Sequence, residues 1–148
     1  MNLERYPFIP GTGNFTYEFY SKGPNGTIKK VVQFQRIKWY NGLLFNVAFG
    51  DWNEVTECID DKITTNNLDR DKVLATVAGT VLHFMNEYPN AILIAKGSTN
   101  SRTRLYQIGI VYFLEEISDT FEIQGYVADT WETFEKGKSY EAFLLKRK

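Results

Sequence analysis

The chain has 148 residues, enough for one domain with a sizeable core, and a formal net charge of −1. That near-neutral balance excludes a globally basic domain drawn to nucleic acid or anionic lipid, although local patches stay open. One cysteine, Cys58, excludes an intramolecular disulfide and argues for a reducing compartment.

Aromatic residues make up 16% of the chain, a fraction that serves either a ring-rich core or a ligand groove. Residues 1–10 are polar and proline-broken, unlike a signal peptide. The longest apolar stretch is about ten residues, well short of the roughly 20 that span a bilayer. The expectation is a cytoplasmic protein with no membrane segment.

In chain order, residues 1–14 hold two prolines and two glycines and read as an irregular lead-in. Residues 15–20 alternate aromatic and polar side chains, the period-2 mark of a strand with one buried face. A turn at Gly23-Pro24-Asn25-Gly26 and renewed alternation through Val32 and Phe34 complete a hairpin. After Asn41-Gly42, residues 43–49 form a third strand, which gives an N-terminal three-strand meander. The next stretch is acidic, with at most one short strand near residues 57–59.

Residues 69–88 show the clearest helical period. Val73, Val77, Val81 and Met85 form one ridge and Leu74, Ala78 and Leu82 the next. Thr76, Thr80, His83 and Glu87 lie opposite, so this helix should be wet on that side. Residues 91–95 read as a strand in mid-sheet. A second helix runs from about Thr99 to about Glu116, apolar nearly all round and therefore expected to be deeply buried. Because β-branched and aromatic residues dominate 105–114, a strand remains the alternative there. Residues 121–127 and 140–146 close the sheet, the latter at an edge because of its basic end. The order β-β-β-α-β-α-β-β gives an α+β fold with a mixed, mainly antiparallel sheet and two helices, as one domain over 1–148.

The stretch from Lys96 to Tyr106 carries the sharpest chemical signal. A strand, a glycine turn and a helix start there, and helix N-termini present unpaired N–H groups that favour anions. Arg102 and Arg104 sit where a helix would rather have acids. A candidate anion site therefore comprises Gly97, Ser98, Thr99, Arg102, Arg104 and Tyr106. Gly97 frees the backbone, Ser98 or Thr99 caps, Arg102 and Arg104 bring charge, and Tyr106 packs one turn on. An ordinary cap with arginines paired to the acidic 51–71 segment explains the same residues. The turn lacks the lysine-serine ending of a P-loop and the spaced glycines of dinucleotide folds.

Asp51, Asp60 and Asp61 could converge on magnesium for phosphoryl chemistry, or form a solvated acidic loop. His83 is the lone histidine, which leaves zinc without partners. Cys58 has no nucleophile context, and serine–histidine catalysis has no elbow motif. Residues 131–148 interleave aromatics with Lys and Arg in the manner of single-strand nucleic-acid grips, but Glu132, Glu135 and Glu141 dilute the charge.

Several motifs together resemble an uncharacterised bacterial single-domain protein family of unknown function. They are Asn2-Leu3-Glu4-Arg5-Tyr6-Pro7-Phe8, Phe45-Asn46-Val47-Ala48-Phe49-Gly50-Asp51, Asp71-Lys72-Val73-Leu74-Ala75-Thr76-Val77-Ala78 and Gly97-Ser98-Thr99 with Arg102-Thr103-Arg104-Leu105-Tyr106. The resemblance implies no activity, catalytic residue, cofactor or substrate. The strand order also resembles the opening of ribonuclease-H-like folds, which need acids on the first and fourth strands. Glu18 fills the first position, while residues 91–95 offer no acid.

The leading expectation is a binding or interaction protein that takes a phosphate-bearing ligand or an acidic protein partner at 97–106. The alternatives are a metal-dependent phosphodiesterase using Asp51, Asp60 or Asp61 with Arg102, and an accessory partner in a toxin–antitoxin-type complex. Nucleic acid is not favoured by the net charge.

Overall fold

In the computed structural model, residues 4–11, 15–39, 41–60 and 66–148 are described. The elements are β1 (Ile9–Pro10), β2 (Thr16–Gly23), β3 (Gly26–Arg36), β4 (Leu44–Asn53), β5 (Cys58–Asp60), α1 (Arg70–Glu87), β6 (Ile92–Ala95), α2 (Asn100–Ile117), β7 (Phe121–Val127), β8 (Thr130–Thr133) and β9 (Ala142–Arg147). All the strands join one sheet in the order β1-β2-β3-β4-β6-β9-β7-β8, with β5 added to β4. The fold is α+β, and the expected element order holds apart from two short extra strands, β1 and β8, with β5 falling where the sequence allowed one short strand.

Alternation in the first strands orients the sheet. Tyr17 and Phe19, Val32 and Phe34, and Phe45, Val47 and Phe49 all point to the side covered by the helices, and all are buried. The opposite face carries groups such as Glu18 and Lys29, which pair at 3.3 Å, with the Lys29 ammonium over Trp52. Gly23 ends β2 where a Cβ would lie 2.2 Å from the Asn67 carbonyl oxygen, so the close approach demands glycine. The chain leaves β4, forms β5 and α1, and returns as β6 parallel to β4. The helix reading of residues 105–114 is the one the fold adopts.

Three expectations are corrected. The face of α1 bearing Thr76 and Thr80 is not wet: both threonines are fully buried. The reason is the lead-in, which packs back over the helix. Tyr6 N–H donates to Thr76 Oγ1 at 2.8 Å, Tyr6 stacks on Phe19, and Phe8 meets Tyr17 and His83 edge-on. The threonine hydroxyls donate in turn to the Lys72 and Val77 carbonyls of their own helix.

The second correction is α2, which is half-buried rather than deeply buried. Along it only Arg102, Thr103 and Phe113 are buried. Its inner side meets β7 and β9 around Ile123 and Phe143, while its remaining surface is only partly covered, by Arg5 at Phe113 and Glu116 and by the Lys138 carbonyl at Gln107. The third is β9, which lies between β6 and β7 and not at an edge. Its basic end is absorbed by Arg147, whose guanidinium donates to Met85 O and lies over the Phe121 ring. The edges fall instead to β1 and β8, two and four residues long, short enough to discourage further pairing.

Candidate functional site

The turn after β6 is closed by its own side chains. Thr99 is extended (φ −134°, ψ 165°), and its Oγ1 accepts the Arg102 N–H at 3.2 Å, an ordinary N-cap. Thr103 Oγ1 accepts the Gly97 N–H at 3.0 Å and donates to Thr99 O at 3.2 Å. A Cβ on Gly97 would lie 2.4 Å from both Arg102 Cβ and Thr103 N, so the helix start rests directly on the glycine. The Gly97 and Arg102 N–H groups are thus engaged within the turn.

Arg102 turns inward and is only 8% exposed. Its Nη1 donates to Phe49 O at 3.2 Å and its Nη2 to Asp60 O at 3.4 Å, which ties α2 to β4 and β5. Tyr106 also points inward: its hydroxyl donates to Val47 O at 3.2 Å, and its ring meets Phe49 edge-on. Ser98 and Arg104 face solvent. The structure therefore joins Gly97, Thr99 and Arg102 in one turn, sends Tyr106 under the helix and leaves Ser98 and Arg104 outside.

Because β4 and β6 are parallel and each leads toward a helix, the first turns of α1 and α2 meet at the same edge of the sheet. A cleft of about 800 Å³ opens there, lined by Lys30, residues 49–51, residues 66–74, Arg102 and Leu105. In open α/β sheets ligands favour this place, outside the carboxyl ends of the strands. Lys30 and Asp51 face each other in the β3–β4 register, on the helix side, and both are buried. The Lys30 ammonium donates to Asp51 Oδ1. On Gly50, between them and Arg102, a Cβ would come within 2.7 Å of the Ile59 side chain. Asp51 and Asp60 are also register partners, across β4 and β5. Asp61 lies outside the described residues. Among the described residues, no group of three or more His, Cys, Asp and Glu is placed to hold a metal ion.

The far wall of the cleft is braced by partly buried hydrogen bonds. Asp69 precedes α1 without capping it; its Oδ2 accepts from Tyr6 at 2.6 Å and from Ser21 at 2.5 Å. Asn67 donates through Nδ2 to Ser21 Oγ and Gly26 O, and its Oδ1 accepts the Asn25 N–H. Burial, and then the Asp69 carboxylate, raise the Tyr6 phenol above its ordinary pKa. Between Asn67 and Asp69, Leu68 takes φ +57°, a left-handed conformation that a branched side chain rarely adopts. Over the rim, Arg70 reaches the Tyr112 hydroxyl and Asp71, bonds that raise its pKa further, the first the more. Lys72 lies 4.3 Å above the Tyr6 ring.

Sequence reasoning missed Lys30, Ser21, Asn67, Asp69 and Tyr6. For Lys30 a signal existed, since it shares the strand parity of Val32 and Phe34, just as Asp51 shares that of Val47 and Phe49. A cation and an anion on the buried parity of adjacent strands read as a pair. His83 is half-buried, with Nδ1 2.9 Å from the Tyr17 hydroxyl, a bond whose donor depends on the imidazole tautomer.

No helix among the described residues is long and apolar enough to cross a membrane. No curated protein and no solved structure matches the chain. A family model does match, over residues 2–148, and the chain belongs to that family of unknown function, DUF6934.

Proposed function

We propose that residues 1–148 form one cytoplasmic domain that binds an anionic ligand, a phosphate or carboxylate, in the cleft between the first turns of α1 and α2. The observation that carries this reading is the meeting of two helix starts around one cleft whose lining sets Lys30, Arg70, Lys72 and Arg102 against the carboxylates of Asp51, Asp69 and Asp71. Helix starts and guanidinium groups both favour negative charge. Of the candidate turn, Arg102 belongs to the cleft wall, and Arg104 lies outside its lining.

The test is thermal unfolding against phosphate, sulfate, nucleotides and simple carboxylates. An anion held only by the folded protein adds about 2.7 kcal/mol of stability at a hundred times its dissociation constant. Arg70→Ala should abolish that shift while barely moving the unliganded melting point, because Arg70 is exposed. No shift with any anion overturns the reading. A second reading, a metal-dependent phosphodiesterase, draws on the facing positions of Asp51 and Asp60. It requires magnesium or manganese binding that Asp51→Asn removes.

A further inference from the structure

A second cavity lies beneath the helices. It is a slot of about 120 Å³ between α1, α2 and the sheet. Its wall is hydrocarbon, glycine and Tyr106, and the hydroxyl of Tyr106 is directed to Val47 O. The slot exists because small residues face one another across the helix pair. Gly109 on α2 has only Leu74 near it, at 3.9 Å from where a Cβ would stand, and α1 contributes Ala78. Water needs two to four polar partners in a cavity, and this one presents none. Apolar cavities of roughly 150 Å³ stay dry and accept molecules such as benzene.

Phe49, Leu74 and Leu105 line both the slot and the charged cleft, so the two spaces adjoin. On α2, Arg102 on the cleft side is followed one turn later by Leu105, which borders both. We infer that the ligand of this protein is an anionic amphiphile: a carboxylate or phosphate monoester whose short hydrocarbon chain fills the slot. The inference rests on the cleft being an anion site, and it adds the part of the ligand that confers selectivity. By comparison with cavities that accept benzene, a chain of about four to six carbons fits.

The experiment is calorimetric titration of the full chain with acetate, butyrate, hexanoate, inorganic phosphate and butyl phosphate, with 1-hexanol as the neutral control. Affinity should rise about fourfold per added methylene from acetate to hexanoate. Butyl phosphate should bind more tightly than phosphate. Ala78→Leu fills the slot and should erase the chain-length gain while leaving acetate and phosphate binding unchanged; Gly109→Leu is the second filling variant should the first unfold. Acetate and phosphate binding with no chain-length gain overturns the slot and spares the cleft. Hexanol binding as tightly as hexanoate, lost in the filled variants, supports the slot and overturns the anion reading. A gain that persists in both filled variants places the chain elsewhere and overturns the inference.

Discussion

The two helices are equally long, 18 residues each, and lie on the same face of the sheet, yet their burial is the reverse of what their compositions imply. The first has a polar ridge and buries nine residues, Thr76 and Thr80 among them; the second is apolar nearly all round and buries three. Composition states what a helix can afford to bury, whereas its neighbours decide what it does bury. The lead-in clasps α1 on its polar side, and its threonines satisfy themselves on their own backbone. The second helix spans β4 to β7, anchored to β4 by Arg102 and Tyr106, and its remaining surface is covered only in part, by Arg5 and the Lys138 carbonyl.

The strongest challenge to this contrast is a matched pair of truncations. Phe84 of α1 is fully buried and stacks on Phe34 with ring centroids 4.0 Å apart. Phe84→Ala should cost about 3–5 kcal/mol in urea unfolding. Val111→Ala, at a partly buried position of α2 packed against the Ile123–Phe143 cluster, should cost less, about 1–2 kcal/mol. Comparable losses would mean that α2 is covered in solution, by a second copy or another partner, and the contrast would fail.

Arg102 is the exception on α2, a charged residue buried while apolar neighbours are half-exposed. Arg102→Ala removes hydrogen bonds from a charged donor to Phe49 O and Asp60 O, worth about 1.5–3 kcal/mol each. Arg102→Lys should recover little of the loss, since one ammonium nitrogen replaces two guanidinium nitrogens that a rigid plane aims at separate carbonyls. A full recovery of stability with lysine would reduce Arg102 to a simple charge.

On α1 the polar ridge gives a finer test. Thr76→Val keeps the shape but leaves the Tyr6 N–H without its acceptor, a loss of about 1–3 kcal/mol. If valine is neutral there, the lead-in does not clasp the helix. The same side responds to alkali. Burial, and then the charges of Glu87 and Tyr88, push the Tyr17 phenol up to about 12 from 10.0. A group with a raised folded pKa holds its proton more tightly when folded, so its contribution is complete below pH 10 and is lost as pH rises toward 12. Unfolding midpoints should stay level to about pH 10 and then fall; Tyr17→Phe should blunt that fall.

The outline of the fold was readable because its signals are local. Alternation in residues 15–20 and 43–49 and the ridge from Val73 to Met85 each fix an element within a few residues. What stayed hidden depends on distant partners: the return of Tyr6 and Phe8 onto α1, the insertion of β9 between β6 and β7, and the closure of the cleft by Asn67 and Asp69. The turn at 97–103 shows both sides. Its strand–glycine–cap–helix form was legible, and the inward course of Arg102 was not, because the carbonyls that receive it belong to residues 49 and 60.

The smallest expected effect has the opposite sign and bears on the looser helix. Gly109 sits mid-helix in α2, where glycine costs about 0.5–1 kcal/mol relative to alanine. A Cβ there would meet Leu74 at 3.9 Å, an ordinary van der Waals contact, so nothing must shift to admit it. Gly109→Ala should therefore raise stability by about 0.5–1 kcal/mol. In α1, Gly79→Ala is the counterpart: its Cβ would stand 3.2 Å from the Phe8 ring, a tight contact beneath the lead-in. The same helix-propensity gain should be offset there, and the two substitutions should differ. Equal gains at both positions would mean that the lead-in yields as easily as the open slot, and the clasped helix would then be no tighter than its neighbour.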